Sequence, residues 1–170
     1  MKLSLLSIFL FILSIQSCNY SNEWKEISVE NKFSISVPGF FKEDKGLRKD
    51  ASFQYANRYR NIYAIVIEHD KSNKTLYEMD ESVIQPLLKY IDKPIVTDSI
   101  DTKVNGLNAR QNKVMGTMPS GDATEFIYYN HVLIEGKKKF YEVCTWTRGP
   151  KRKDLYDADL TRIIFSFKEK

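Results

Sequence analysis

A short apolar segment at the start of the chain constrains its folding more than any other feature. After Lys2, residues 3–14 are mostly leucine, isoleucine and phenylalanine. A positive start, an apolar run and small residues near a cleavage point are the three parts of a secretory signal. The run is shorter than the roughly 20 residues of a membrane-spanning helix. We therefore predict that residues 1–17 are a signal peptide and that the rest folds outside the cytoplasm.

Cys18, directly after this segment, is the predicted site of lipid attachment. The sequence IQSC at residues 15–18 resembles the lipobox of bacterial lipoproteins, although Gln16 departs from the usual small residue. Residues 18–23 then form the lipidated cysteine and a short linker to the membrane. Asn19 in place of aspartate favours the outer membrane over the inner, by the sorting rule of enteric bacteria. The alternatives are a secretion signal cut elsewhere and an uncleaved anchor.

The composition predicts one folded domain, residues 24–170. The chain is 42% apolar and 28% charged, which is typical of globular proteins. About 150 residues bury a sufficient core without disulfides. The net charge is +4, and removal of Lys2 with the signal leaves 25 basic against 22 acidic residues, or +3. This small excess does not indicate a nucleic-acid-binding protein.

Alternation of apolar and polar residues predicts a chain rich in strands. Residues 62–67 are apolar on both sides, which is typical of a central strand covered on both faces. Asn105 and Gly106 predict a tight turn between two strands, and the charged residues 42–50 predict a loop. The predicted strands lie near residues 24–29, 33–37, 52–58, 62–69, 95–103, 107–116, 123–134 and 139–147.

Two helices are predicted between and after these strands. Thr75 and Glu78 have the spacing of a capping box, and the residues that follow repeat apolar positions every three or four. This predicts a helix over residues 75–91, bent near Gln85 because Pro86 follows. Pro150 suits the first turn of a second helix. The buried stripe of that helix would be Tyr156, Leu160, Ile163 and Phe167.

The order of these elements resembles the PsbP/Mog1-like family over residues 24–168. The resemblance rests on an opening tryptophan, FSISVP at residues 33–38, one mid-chain helix, the turn NGL at 105–107, a tyrosine-rich hairpin and IIFSFK at 163–168. It implies an α+β fold, an α/β/α sandwich with a central, mostly antiparallel sheet flanked by helices. Members of the family have diverse roles and share no catalytic motif, so the resemblance implies no site residues.

No catalytic or metal-binding motif is evident in the sequence, and no cofactor is predicted. Cys144 lies within a predicted strand, where a cysteine is usually an inert buried residue. A nucleophilic thiol needs a neighbouring base or positive field, which His69 or His131 could supply across the sheet. His69 with the adjacent Asp70, and His131, could also bind a metal together with Asp98 or Asp101 if the fold gathers them, but none of the usual ligand spacings occurs.

The basic run at residues 148–153 contains the candidate binding residues. Cations in the first turn of a helix oppose the helix dipole, and a bound anion would remove that conflict. A small anionic ligand would be held by Arg148, Lys151, Arg152 and Lys153. The alternative is a solvated loop balanced by nearby aspartates. A second basic cluster, at residues 137–139, lies about 30 Å away along a strand, so no broad nucleic-acid surface is expected.

Together these patterns predict a lipid-anchored lipoprotein of the cell envelope, with its domain facing the periplasm or the exterior. We expect a non-catalytic binding or accessory module, with a protein partner in the envelope or a small anionic ligand. Two alternatives stay open: an envelope enzyme that uses Cys144 or the histidines, and a purely structural surface lipoprotein.

Overall fold

A computed structural model describes residues 23–71, 73–121 and 123–170. The predicted signal peptide, Cys18 and most of the linker lie outside these residues. Within the described part the chain forms strands and two helices in the order β1 (Trp24–Val29), β2 (Phe33–Pro38), β3 (Lys42–Glu43), β4 (Ala51–Asn57), β5 (Ile62–Asp70), α1 (Leu76–Tyr90), β6 (Asp92–Val104), β7 (Leu107–Ser120), β8 (Ala123–Glu135), β9 (Lys139–Arg148), α2 (Pro150–Phe165) and β10 (Lys168–Glu169).

The strands form two sheets, in which every pair of neighbours is antiparallel. The larger sheet has seven strands in the order β3-β4-β5-β9-β8-β7-β6, and the smaller one has the order β1-β2-β10. Strand β5 lies inside the larger sheet, and residues 62–67 are all buried, as the apolar run predicted. In the larger sheet, neighbouring strands are consecutive in sequence except for β5 and β9. Short hairpins join the consecutive strands, and a short hairpin can join only antiparallel strands.

The two helices cover opposite faces of the seven-stranded sheet. Side chains alternate between faces along a strand. On one face, Val143 packs in a core with Leu160 of α2 and with Phe33 and Ile35 of the smaller sheet. On the other face, Cys144 and its neighbours pack with Ile84 of α1. The predicted α+β sandwich, with a mainly antiparallel sheet flanked by helices, is therefore confirmed.

Local signals account for the start of α1. The Thr75 hydroxyl accepts a hydrogen bond from the Glu78 backbone N–H at 3.3 Å, and the Glu78 carboxylate accepts one from the Thr75 N–H at 2.8 Å. This is the predicted capping box. Pro86 lies inside the helix, which continues to Tyr90. None of the helices in the described part of the chain has the length and apolar character needed to cross a membrane.

Other boundaries differ from the prediction. The loop at residues 42–50 contains the two-residue strand β3, which pairs with β4. Phe167 does not belong to the buried stripe of α2, because that helix ends at Phe165. It is fully buried beyond the helix, where its ring stacks on Phe33 at 5.2 Å. Its burial was predicted correctly, but it results from the return of the chain to the smaller sheet at β10.

Gly116 in β7 allows the connection between α1 and β6 to pass close to the sheet. A Cβ atom at this position would lie 2.2 Å from Cγ2 of Ile91 and 2.9 Å from the carbonyl oxygen of Asp92. Replacing Gly116 with alanine should therefore lower the free energy of unfolding by about 1–3 kcal/mol, the usual cost of overpacking. Urea unfolding monitored by circular dichroism measures this change.

Gly46 provides the matched control for this substitution. A Cβ atom there would meet its nearest neighbour, an oxygen of Asp44, at 3.4 Å, which is ordinary contact. Gly46→Ala should change stability by less than about 0.5 kcal/mol. Equal unfolding midpoints for the two variants would show that the backbone over Gly116 moves aside freely.

Candidate functional site

The structure brings together two of the residues considered for chemistry, His131 and Cys144. They lie directly opposite each other in the register of β8 and β9, and both side chains point to the face that α1 covers. His131 is fully buried and Cys144 is 4% exposed. The antiparallel register therefore creates a Cys–His pair from residues 13 positions apart in sequence.

Glu142 connects this pair to the second histidine. It lies two residues before Cys144, on the same face of β9, and is 4% exposed. Its Oε2 atom is 2.8 Å from Nε2 of His69. Its Oε1 atom is 3.5 Å from Nε2 of His131 and 3.5 Å from Sγ of Cys144. One carboxylate thus contacts both histidines and the thiol.

Asp80 contacts the same group of side chains from α1, where it is one of the buried residues of the helix. Its Oδ1 atom is 3.7 Å from Nδ1 of His131. Both of its oxygens accept hydrogen bonds from the Asn112 amide at 2.9 Å, and Nε of Arg110 is 3.2 Å away. We call His69, Asp80, His131, Glu142 and Cys144 the buried polar cluster.

The cluster favours a carboxylate and a protonated thiol. Burial acts to raise the pKa of Glu142, but the contacts with His131 and His69 outweigh it and hold this pKa well below its ordinary range. Burial and the negative charge of Glu142 raise the pKa of the Cys144 thiol well above its ordinary value. A nucleophilic cysteine needs the opposite shift, so the Cys144 environment does not activate the thiol.

His131 is unusual within the cluster. Among the residues that the structure describes, neither of its ring nitrogens has a hydrogen-bond partner, although the side chain is fully buried. Its contacts with Asp80 and Glu142, at 3.7 and 3.5 Å, are longer than charge-assisted hydrogen bonds of about 2.7–2.9 Å. Most buried polar atoms in proteins are paired, so this histidine needs an explanation.

A cleft of about 760 Å³ opens beside the cluster, between α1 and the sheet. Its apolar lining includes Met79, Val83, Leu87, Met118 and Tyr129. Its cationic lining comes from Arg48 and Lys74, and His69 and Glu142 connect it to the cluster. Apolar walls with a few polar groups are typical of sites for small ligands.

The metal combination considered from the sequence does not form. Asp101 is 2.7 Å from Arg110, and its side chain is 83% exposed. Asp70 pairs with Lys139 at 3.2 Å and is 94% exposed. The carboxylates near His131 are instead those of Glu142 and Asp80, which no sequence motif predicted. Glu142 is the one charged residue between Phe140 and Trp146, which is a weak sequence signal, whereas no sequence pattern pointed to Asp80.

The basic run at the start of α2 makes several separate contacts. Arg148 lies 3.5 Å from Glu125, Arg152 lies 3.5 Å from the Arg148 carbonyl oxygen, and Lys153 lies 3.5 Å from Asp154. Lys151 is exposed. The helix begins after Gly149 without a side-chain cap and without an acidic residue in its first turn. Anion binding by these residues stays a prediction.

Sequence comparison with protein-family profiles and with curated proteins finds no match. Among solved structures, the Ran-binding protein Mog1p of Saccharomyces cerevisiae has a TM-score of 0.62 at 15% identity, over 87% of this chain and 96% of that one. Cyanobacterial PsbP (CyanoP) of Synechocystis sp. PCC 6803 has a TM-score of 0.62 at 13% identity, over 92% and 99%.

A third similar structure is LpqN of Mycobacterium tuberculosis, described as involved in cell envelope biogenesis. It has a TM-score of 0.53 at 11% identity, over 87% of this chain and 91% of that one. Identities this low establish shared architecture and no shared activity. The chain therefore has the PsbP/Mog1-like fold that its sequence resembles.

Proposed function

We propose that this chain is a lipid-anchored lipoprotein of the cell envelope, and that its domain is a non-catalytic binding module outside the cytoplasm. The anchor would be a lipid on Cys18, most simply in the outer membrane because Asn19 follows. This proposal is supported by the signal-like residues 1–17 and by the position of the cysteine at their end. Few residues separate Cys18 from β1, so the domain would lie close to the membrane.

The cleft beside the buried polar cluster is the observation on which the binding function rests. Its apolar walls suit a hydrocarbon body. The guanidinium of Arg48, which also pairs with Asp50 at 2.9 Å, and the ammonium of Lys74 give the lining a positive charge that suits an acidic group. Its volume of about 760 Å³ is within the usual range for small-molecule sites. We infer that the ligand is a small anionic amphiphile, such as a fatty acid or an acidic lipid fragment.

The chemistry of the cluster favours binding over catalysis. The raised pKa of Cys144 keeps its thiol protonated near neutral pH, and the protonated form is a weak nucleophile. His131, the nearest base, is fully buried beneath α1. A substrate would therefore not reach a Cys–His pair from the cleft without a rearrangement of the helix.

Two of the structural relatives support the type of role without defining it. LpqN is described as involved in cell envelope biogenesis, and Mog1p as a Ran-binding protein. The fold therefore serves binding in one of these proteins and envelope biology in the other. A protein partner in the envelope is the alternative to a small anionic ligand, and it too is consistent with an accessory role.

Filling the cleft should weaken the binding of an anionic amphiphile. Ser82 lines the cleft from α1 and is exposed, so Ser82→Trp places an indole there with little effect on the core. We expect cis-parinaric acid to bind the wild-type protein, and binding to weaken at least about tenfold in the variant, roughly 1.4 kcal/mol. Fluorescence titration of the full chain in dilute detergent measures the affinity.

Glu81→Trp is the matched control, because Glu81 is an exposed neighbour on the same helix that does not line the cleft. This variant should bind cis-parinaric acid like the wild type. The methyl ester of the acid should bind more weakly, since it lacks the charge that Arg48 and Lys74 would contact. Absence of binding by the wild-type protein, or equal binding by both tryptophan variants, would refute the cleft as the ligand site.

A further inference from the structure

The geometry points to a zinc site in the buried polar cluster, formed by Nε2 of His131, Oε1 of Glu142 and Sγ of Cys144. These three side chains can each direct one ligand atom so that all of the atoms lie within 4.8 Å of one another. Imidazole, carboxylate and thiolate are the protein ligands that zinc prefers. This inference concerns the cluster itself and does not depend on what binds in the cleft.

The spacing of the ligand atoms suits tetrahedral coordination. Zinc–sulfur bonds near 2.3 Å and zinc–nitrogen or zinc–oxygen bonds near 2.0–2.2 Å place neighbouring ligand atoms roughly 3.3–3.7 Å apart. Oε1 of Glu142 is 3.5 Å from Nε2 of His131 and 3.5 Å from Sγ of Cys144. Two of the three separations therefore already have the required length, and small side-chain movements bring the third into range.

The unpartnered ring of His131 is the independent observation that points to a ligand. Neither ring nitrogen has a hydrogen-bond partner among the described residues, although the side chain is fully buried. A metal ion on Nε2 would give that nitrogen a partner. It would also fix the proton on Nδ1, which is 3.7 Å from Oδ1 of Asp80.

Asp80 is placed as the outer partner that metal-binding histidines commonly have. Such histidines donate their second N–H to a carboxylate or carbonyl, which orients the ring. Asp80 is itself held by two hydrogen bonds from Asn112 at 2.9 Å. Nε2 of His69 lies 2.8 Å from Oε2 of Glu142 and orients this carboxylate. The other oxygen, Oε1, is left for the ion.

Charge and access are also consistent with a divalent ion. Glu142 as a carboxylate and Cys144 as a thiolate together carry two negative charges, which one divalent ion neutralises. The thiolate and imidazole favour zinc over magnesium or calcium, which prefer oxygen ligands. Glu142 lines the cleft, which gives the ion a route to the site. Three protein ligands leave a fourth position for a water molecule.

Cobalt provides the direct test, because Co²⁺ occupies zinc sites and reports a bound thiolate by its colour. The full chain, purified in detergent and stripped with a chelator, is titrated with Co²⁺ alone. We expect one equivalent to produce a near-ultraviolet thiolate-to-cobalt charge-transfer band. Zn²⁺ should then displace the cobalt and raise the melting temperature. A folded wild-type protein that gives no band with Co²⁺ would overturn the inference.

Variants assign the band to the proposed ligands. Cys144→Ser should remove it, whereas Cys18→Ser should keep it, so the two cysteines are distinguished. Asp80→Asn should keep the band but weaken the Co²⁺ affinity by about ten- to a hundredfold, as expected for an outer partner. Because binding displaces the Cys144 proton, the affinity should fall as the pH falls. A band that persists in Cys144→Ser would contradict the assignment.

Discussion

Replacing Cys18 with alanine should completely abolish lipid labelling of this protein. In cells grown with alkyne-palmitate, the wild-type chain should take up the label, and its mature amino terminus should be residue 18. The variant has no thiol at the position where a lipoprotein lipid attaches, so it should take up none. Each acyl methylene buried in a bilayer contributes roughly 0.8 kcal/mol to anchoring. In-gel fluorescence and mass spectrometry of the amino terminus measure both outcomes.

Cys144→Ser is the internal control for this experiment. Cys144 is buried in the middle of the sheet, so it is not available to an acylating enzyme, and its variant should be labelled like the wild type. Loss of label in both variants would indicate general misfolding or poor export. Wild-type protein that is unlabelled and still carries residues 1–17 would refute the anchor and the envelope location together.

Replacing Glu142 with glutamine should destabilise the folded domain by about 1.5–3 kcal/mol at neutral pH, the usual range for hydrogen bonds to a charged group. Its carboxylate contacts His69 at 2.8 Å and His131 at 3.5 Å, in a site that is 4% exposed. The amide keeps the shape of the side chain but removes its charge. Urea unfolding of the metal-free protein measures the difference.

The pH dependence of this effect has a definite sign. The folded state holds the pKa of Glu142 well below its ordinary value of 4.5. A carboxyl group of this kind stabilises the fold fully above its unfolded pKa. Its contribution then declines as the pH falls from 4.5 toward the folded pKa. The difference between wild type and Glu142→Gln should therefore be largest near neutral pH and smaller at about pH 3.

Glu81→Gln gives the matched control for the removal of a carboxylate. Glu81 is exposed on α1, and such surface substitutions usually change stability by less than about 0.5 kcal/mol. Its unfolding midpoint should follow that of the wild type at every pH. If Glu142→Gln had the same effect at both pH values, its cost would come from packing and not from charge.

Several parts of the fold could be predicted because their causes are local in sequence. The capping box of α1 needs only Thr75 and Glu78, three positions apart, and both of its hydrogen bonds are present. The apolar run at residues 62–67 predicts a strand covered on both faces, since no side of it is polar. The turn at Asn105 and Gly106 joins β6 and β7, and both residues have positive φ angles, of 47° and 87°.

Boundaries that depend on distant contacts were less predictable. Phe167 has the spacing of an α2 residue, but it packs against Phe33, which is 134 positions earlier in the chain. The short strand β10 exists because Lys168 and Glu169 reach the edge of β2. No local pattern encodes either contact, because their partners come from the opposite end of the domain.

The sequence by itself therefore determined the alternation of the strands, the two helices and the family that the order of elements resembles. It also identified Cys144, His69 and His131 as the residues with chemical potential. Only the tertiary structure decided that Glu142 joins them and that Asp80 faces them from α1. The physical reason is that periodicity fixes which face a side chain occupies, whereas strand register and helix placement decide which side chains meet on that face.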